Sequence, residues 1–349
     1  MVGARPQFVK LAPIAKACAG VGVLHQTVHT GQHYEDTMSA VFFDELDIKE
    51  PEWNLGVGSG SHGAQTGAML AGLDALLSLE RPDWVVAYGD TNSTVAAALA
   101  AVKLRIPVAH LEAGLRSFNR AMPEEHNRVL TDHAADLLLA PTERAASHLA
   151  AEGLAERTQV VGDVMIDVLF DVVRKIESEE SVLHTCPRPE GDYVLATIHR
   201  AENTDDPMRL SALITGLASL PVPVLLPVHP RLRDHVIAMG LSLEVGSLLP
   251  VQPFSYFEMV DAVMGSVAVA TDSGGLQKEA FVLGKPITTF RTETEWTETL
   301  ENGWNVLAPD LEGLDQIVLR DAPALSAETP YGDGHAADAA VQALVGGQS

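Results

Sequence analysis

Short apolar runs alternate with longer amphipathic stretches along most of this chain. Val85–Tyr88, Val108–Leu111 and Leu137–Ala140 read as buried strands, and each leads into a stretch of helical spacing. After a break the same alternation returns at residues 194–198, 224–228, 267–270 and 287–290. Such an order of β and α segments predicts an α/β fold with parallel sheets covered by helices on both faces. The break lies at residues 178–192, where an acidic, Ser-containing stretch gives way to Pro187, Pro189 and Gly191, the residues that punctuate a linker. Two domains are therefore expected, residues 1–178 and 179–335, with a last helix from residue 336 that folds back on either half. Residues 1–6, Met-Val-Gly-Ala-Arg-Pro, read as the end of a strand and a loop. A strand of about five residues is expected before them, which places the natural start upstream.

Composition supports a packed core and narrows the partners. The chain has 349 residues, 46% hydrophobic and 20% charged, which suits a globular protein of two ordinary domains. Aromatic residues are only 5%, so Ala, Leu and Val must fill most of the core. Lys+Arg number 23 against Asp+Glu 47, a formal net charge of -24. That balance speaks against nucleic acid and anionic lipid, since binding either needs clustered basic residues. An anionic substrate must be met by local Arg, His and backbone N–H groups. Cys18 and Cys186 are far apart, so neither a disulfide framework nor a zinc site is expected. No leader pattern opens the chain and no apolar run is long enough to span a bilayer, so a cytoplasmic protein without a membrane partner is expected.

Three motif-like stretches carry little. Residues 58–63, Gly-Ser-Gly-Ser-His-Gly, match a dinucleotide fingerprint, but no apolar strand precedes them and a flexible loop is expected. Asp272-Ser273-Gly274-Gly275 resembles the surroundings of a chymotrypsin-like nucleophile, yet it leads from an apolar run into a helical stretch rather than an all-β fold. His25, His29 and His33 are spaced by four, but Gly31 and the β-branched Thr27, Val28 and Thr30 point to strand and turn, where that spacing does not converge on a metal.

The chemistry is written at the strand ends. Residues 267–279 run from an apolar strand through Ser273-Gly274-Gly275 into a helix whose first N–H groups can hold a phosphate, and Glu279 follows within reach of a ribose. Asp90 and Glu112 stand after successive strands, where ligands of open α/β sheets bind. Pro123 opens a helix on which Glu124 and Arg128 share a face at i, i+4, a spacing that by itself reads as a surface ion pair. In the second half His199-Arg200 and His229-Pro230-Arg231 end two strands with basic groups suited to a diphosphate, and His199 can donate a proton near neutral pH.

Together these segments resemble the non-hydrolysing UDP-N-acetylglucosamine 2-epimerase family. The matching stretches are residues 3–10, 30–33, 89–93, 110–117, 123–128, 199–203 and 271–279, in family order through about residue 307. The resemblance implies a GT-B-like fold, two Rossmann-like domains with a central cleft closing over a UDP-sugar, a homodimer, and no cofactor or metal. It implies interconversion of UDP-N-acetylglucosamine and UDP-N-acetylmannosamine by loss and re-addition of UDP through a glycal. Asp90, Glu112 and Glu124 would be the catalytic carboxylates, with Arg128 orienting Glu124 and His199 helping UDP depart. Arg5, Lys10, Ser273, Gly274 and Gly275 would hold phosphate, Glu279 the ribose, and Phe254 belongs to the same UDP site.

Two departures bear on the substrate. Trp296 stands where the family's best-studied bacterial branch has Arg, and the loop at residues 117–122 is shorter. Both are closer to the branch acting on UDP-2,3-diacetamido-2,3-dideoxyglucuronate and to archaeal members. The segment after His33 also lacks the pattern linked to allosteric UDP-N-acetylglucosamine binding. A GT-B glycosyltransferase and a non-catalytic UDP-sugar sensor are the competing readings; the first needs an acceptor site, and the second has no use for spare carboxylates beside an anionic ligand.

Overall fold

The computed structural model describes residues 1–3, 5–31, 49–178, 186–324 and 329–346, and within this the side chains of Arg5 and Pro6 are not described. The chain forms two compact units, Met1–Val168 with Pro330–Ser349, and Leu169–Thr329. The division expected after residue 178 thus falls within the helix Val164–Glu177. Lys175 on the last turn of that helix lies over the Phe257 ring, 5.5 Å from its centroid, a contact inside the second unit. Residues 179–185 of the expected linker lie outside the described residues. The segment after Pro330 returns to the first unit: the Tyr331 carbonyl accepts the Asp163 amide at 2.8 Å, and the final helix is Ala336–Gly346.

Among the described residues the first unit carries two parallel sheets and the second unit one. In the first, β1 (Val28–His29) pairs with β2 (Trp53–Asn54), while β3 (Val85–Tyr88), β4 (Val108–Leu111), β5 (Leu137–Ala140) and β6 (Thr158–Val160) pair in sequence order. Val2 bridges His29 in parallel, and the Met1 nitrogen donates to the Val86 carbonyl at 3.0 Å, so residues 1–2 stand between β1 and β3. In the second unit, β7 (Val194–Thr197), β8 (Val224–Pro227), β9 (Leu248–Val251), β10 (Ala268–Thr271), β11 (Ile287–Thr289) and β12 (Asn305–Leu307) are ordered β12-β11-β10-β7-β8-β9. This is the strand order of a Rossmann fold, with its switch point between β7 and β10, and ligands bind outside the carboxyl ends at such a point. In the first unit the sheets β1-β2 and β3-β4-β5-β6 flank residues 1–2.

The local causes are the ones the sequence shows. Every residue of β4, β5, β7, β8 and β10 is buried, as in strands covered on both faces. Helices begin on polar strand ends. Thr91 and Thr94 form a reciprocal cap for Asn92–Lys103, and Ser255 and Glu258 do the same for Tyr256–Gly265. The low aromatic content is met by close helix approach: Ala96, Ala97, Ala98, Ala100 and Ala101 of Asn92–Lys103 are all buried in one apolar cluster with Met69, Leu73 and Leu77 of His62–Glu80. Residues 55–61 form the loop expected at the Gly-Ser-Gly stretch, but its last two residues, His62 and Gly63, already open that helix, and the strand before it is only β2. His29 lies in β1 as expected, its ring flat against Phe8 at 4.9 Å between centroids; His33 lies outside the described residues.

Asp167 ties the final helix to its unit. Its carboxylate accepts the amides of Ala336 (3.0 Å) and Ala337 (2.7 Å) at the helix start. Burial, reinforced by the nearby Asp163 charge, outweighs those bonds and raises the Asp167 pKa from its ordinary 3.8 to about 6. Between these values the folded chain holds a proton that the unfolded chain has lost, so this group's stabilising contribution is complete at acid pH and fades as pH rises through about 6. Asp167→Asn is expected to remove that decline. Melting curves of both proteins between about pH 4 and about pH 7 check it, and parallel pH dependences would contradict it.

Candidate active site

In the first unit the turns after β3 and β4 and the start of the helix Pro123–Ala134 build one charged cluster. Both turns need unusual backbone: Gly89 has φ +63° and Glu112 φ +68°. Glycine is required at 89, because a Cβ there would be both left-handed and 3.2 Å from Glu112 Oε2. Glu112 forms a nearly buried ion pair with Lys10. Burial alone would lower the Lys10 pKa, but Glu112, Asp163 and Asp90 raise it, so the ammonium stays charged. Asp90 accepts Arg128 Nε at 3.0 Å and Nη2 at 2.6 Å, and the same guanidinium donates to Glu125 Oε2 at 3.0 Å.

Arg128, which the resemblance would have orienting Glu124, pairs instead with Asp90 and Glu125. The guanidinium is a planar fork, and here it spans the Asp90 turn and the i+3 acid of its own helix. Glu124 is half-buried and makes no hydrogen bond or ion pair among the described residues. Glu125, given no role by the sequence reading, is buried and holds the loop before the helix: it accepts the Ser117 amide (2.9 Å), the Ser117 hydroxyl (3.0 Å) and the Phe118 amide (2.9 Å). Burial works against its charge, but those donors and Arg128 keep its carboxyl below the ordinary range. Asn127 adds a bond from its amide to the Asp90 carbonyl at 2.9 Å. The structure thus brings Asp90, Glu112, Lys10 and Arg128 together. Lys10, expected at phosphate, has Glu112 as its partner, and the Arg5 side chain lies outside the described residues.

In the second unit the ends of β7 and β10 meet at the switch point. Asp272, fully buried, accepts the His199 amide at 3.1 and 3.0 Å, the Arg200 amide at 3.0 Å and the Asn203 side-chain amide at 3.0 Å. Burial would raise its pKa, but the His199 ring, Asn203 and the Arg200 amide hold it below the ordinary value. The sequence signal for Asp272 is an acid between a buried strand and a Ser-Gly-Gly turn. The rings of His199 and His229 lie 5.5 Å apart, so the two basic strand ends do converge.

Ser273 occupies the N-cap position of Gly274–Val282 in extended conformation without a side-chain capping bond. Glu295 reaches the start of this helix: a Cβ on Gly274 would collide with its carboxylate, which pairs with Arg291 Nη1 at 2.8 Å. Glu279 is buried and accepts the Tyr256 hydroxyl at 3.0 Å. Trp296 lies over the Lys278 ammonium at 4.1 Å, a cation–π contact on the turn that departs from the bacterial branch. Phe254 lines a cavity of about 520 Å³ with Val228, Arg233, Gln252 and Glu258. Among the described residues no three His, Cys, Asp or Glu side chains form a metal-holding group, and no helix is long and apolar enough to cross a membrane.

The family model for UDP-N-acetylglucosamine 2-epimerase matches residues 17–345. A UDP-N-acetylglucosamine 2-epimerase homolog of Methanococcus maripaludis is 46% identical over 88% of this chain and 87% of its own. The UDP-2,3-diacetamido-2,3-dideoxy-D-glucuronate 2-epimerase of Pseudomonas aeruginosa is 45% identical over 88% of this chain and 86% of its own. The crystal structure of Methanocaldococcus jannaschii UDP-GlcNAc 2-epimerase, in complex with UDP-GlcNAc and UDP, superposes with TM-score 0.85 at 37% identity, covering 99% of this chain and 98% of that one. Two Rossmann-like units and this likeness over the whole length place the fold in the GT-B-like class.

Proposed function

The chain belongs to the UDP-N-acetylglucosamine 2-epimerase family, and from that premise we propose that it interconverts UDP-N-acetylglucosamine and UDP-N-acetylmannosamine. The C2 proton of such a sugar lies beside no carbonyl, so removing it alone would leave an unstabilised carbanion. Elimination avoids this. A carboxylate takes the C2 proton, its electron pair forms the C1–C2 double bond of a glycal, and the C1–O bond breaks with its electrons leaving on UDP. Re-addition returns UDP oxygen to C1 while a proton arrives on the opposite face of C2, so the two faces call for distinct acids and bases.

The observation that supports this chemistry is the inequality of the carboxylates. Asp90 and Glu112 are each paired with a cation, whereas Glu124 has no hydrogen bond or ion pair among the described residues. A site that only bound an anionic UDP-sugar would gain nothing from three acids. On this reading the first unit moves the proton, through Glu124, Asp90 and Glu112. The second holds UDP through His199, Ser273, Gly274, Gly275, Glu279 and Phe254, using a helix start and a basic strand end to stabilise the departing diphosphate. Arg5 belongs to the phosphate-binding group, Lys10 to both phosphate and Glu112, and no cofactor is called for. A homodimer in the cytoplasm is part of the same proposal.

A second reading is favoured by the Pseudomonas relative and by Trp296: the same chemistry on UDP-2,3-diacetamido-2,3-dideoxyglucuronate. Incubation with each UDP-sugar alone in deuterated buffer decides, read by NMR. Deuterium at C2 of UDP-N-acetylglucosamine with appearance of the manno epimer is the expected result. Exchange confined to the diacetamido uronate selects the second reading. UDP-sugar binding without exchange on either sugar refutes both and leaves a sensor or a glycosyltransferase, since no acceptor is supplied.

A further inference from the structure

β4 is Val-Ala-His-Leu, and its His110 is fully buried. Its Nδ1 lies 2.6 Å from Asp132 Oδ1, and its Nε2 lies 2.7 Å from the Gly89 carbonyl. A neutral imidazole has one donor and one acceptor nitrogen. Here both nitrogens face acceptors, one a carboxylate and one a carbonyl, and an imidazolium is the form that satisfies both. Asp132 balances it from the helix Pro123–Ala134, and is itself fully buried. The other Asp132 oxygen takes Arg116 Nη1 at 2.7 Å and the Gly114 amide at 3.2 Å. Arg116 passes on to Glu152 through Nε and Nη2, both at 2.8 Å. Burial opposes the ring's charge, but Asp132, the Gly89 carbonyl and Glu112 hold its pKa above the ordinary value.

The Gly89 carbonyl is part of the peptide that leads into Asp90. On its other side, the Gly89 amide donates to the Leu111 carbonyl at 3.0 Å, the residue before Glu112. The turn carrying Asp90 is thus laced to β4, the strand that leads into Glu112, by one backbone bond and one bond from the His110 ring. On the reading of Asp90 and Glu112 as substrate-facing acids, we propose that His110 is a positioning residue that sets the Asp90 turn against the end of β4. It touches no substrate; it acts through the Gly89 carbonyl. A charged donor suits this task because charge-assisted bonds are shorter and stronger than neutral ones, and the doubly bonded ring cannot rotate away.

Protein labelled with 15N in histidine reads the ring without any assay. Both His110 nitrogens are expected to stay protonated as pH rises past the ordinary histidine value of about 6.5. A ring nitrogen that loses its proton at or below that value overturns the proposal. Two substitutions read the role. His110→Gln can place an amide N–H near the Nε2 position, toward Gly89; His110→Asn places one near Nδ1, toward Asp132. Wild-type C2 exchange is measured first, and its absence refutes the epimerase reading, and His110's role with it, while the ring's protonation remains measurable. With active wild type, His110→Asn should lower kcat about 100-fold, the cost of misplacing a catalytic group, with KM nearly unchanged. His110→Gln should recover at least about tenfold of that loss. Equal kcat in the two variants, or a loss seen only in melting temperature, overturns the proposal.

Discussion

Glu124→Gln is expected to reduce C2 proton exchange on the order of 1,000-fold while UDP still binds. The substitution keeps the side chain's size and removes only its capacity to take or give a proton. It also leaves the surrounding charge network intact, because Arg128 spends its donors on Asp90 and Glu125 rather than on Glu124. Folding should therefore be unaffected, and the defect should fall on kcat. The adjacent Glu125→Gln serves as the contrast. It strips the charge that holds Arg128 and the Ser117 and Phe118 amides, so it should show as lost stability as well. Deuterium incorporation at C2 together with a UDP titration reads both variants. Near-normal exchange in Glu124→Gln would remove Glu124 from the mechanism.

Asp272→Asn should have the second largest effect, on stability and UDP binding together. The buried carboxylate receives backbone amides from His199 and Arg200 and the side-chain amide of Asn203, all within 3.1 Å. An asparagine turns an N–H group toward these donors and leaves some of them buried without an acceptor, next to the His199 ring. Breaking one side of such a buried charged network costs about 3–5 kcal/mol. In a unit of this size that lowers the melting temperature by roughly 10 °C. The same change releases the β7 end that carries His199 and Arg200, so UDP affinity should fall in parallel. Calorimetry and UDP titration check it: a melting temperature unchanged within about 2 °C with unaltered affinity would mean Asp272 does not organise this strand end.

The helix that carries Glu124 was legible because its signal is local: a proline start and acids in the first turn. Asp272 was visible as a letter in the Thr-Asp-Ser-Gly-Gly stretch, but its task was not, because its partners lie 69–73 residues away. Arg128 marks the same limit. Spacing along one helix allowed a pair with Glu124, while Arg128 pairs with Glu125 and with Asp90, the latter 38 residues distant and on a different turn. His110 is the extreme case: a lone polar residue in an apolar strand, which spacing alone cannot distinguish from an ordinary buried histidine.

What the sequence by itself determined is the alternation of strand and helix, the polar strand ends, the helix starts and the acidic balance that makes a local basic site necessary. Each is set by residues within a turn or two of one another, where periodicity, capping and left-handed glycines act. Only the tertiary structure decided the strand order of each sheet, the return of Ala336–Gly346 to the first unit, and the choice of partner for each buried charge. Those depend on which strand lies beside which and in what register. Burial makes that choice binding, since a charge taken out of water must be paired wherever its partner comes from in the chain.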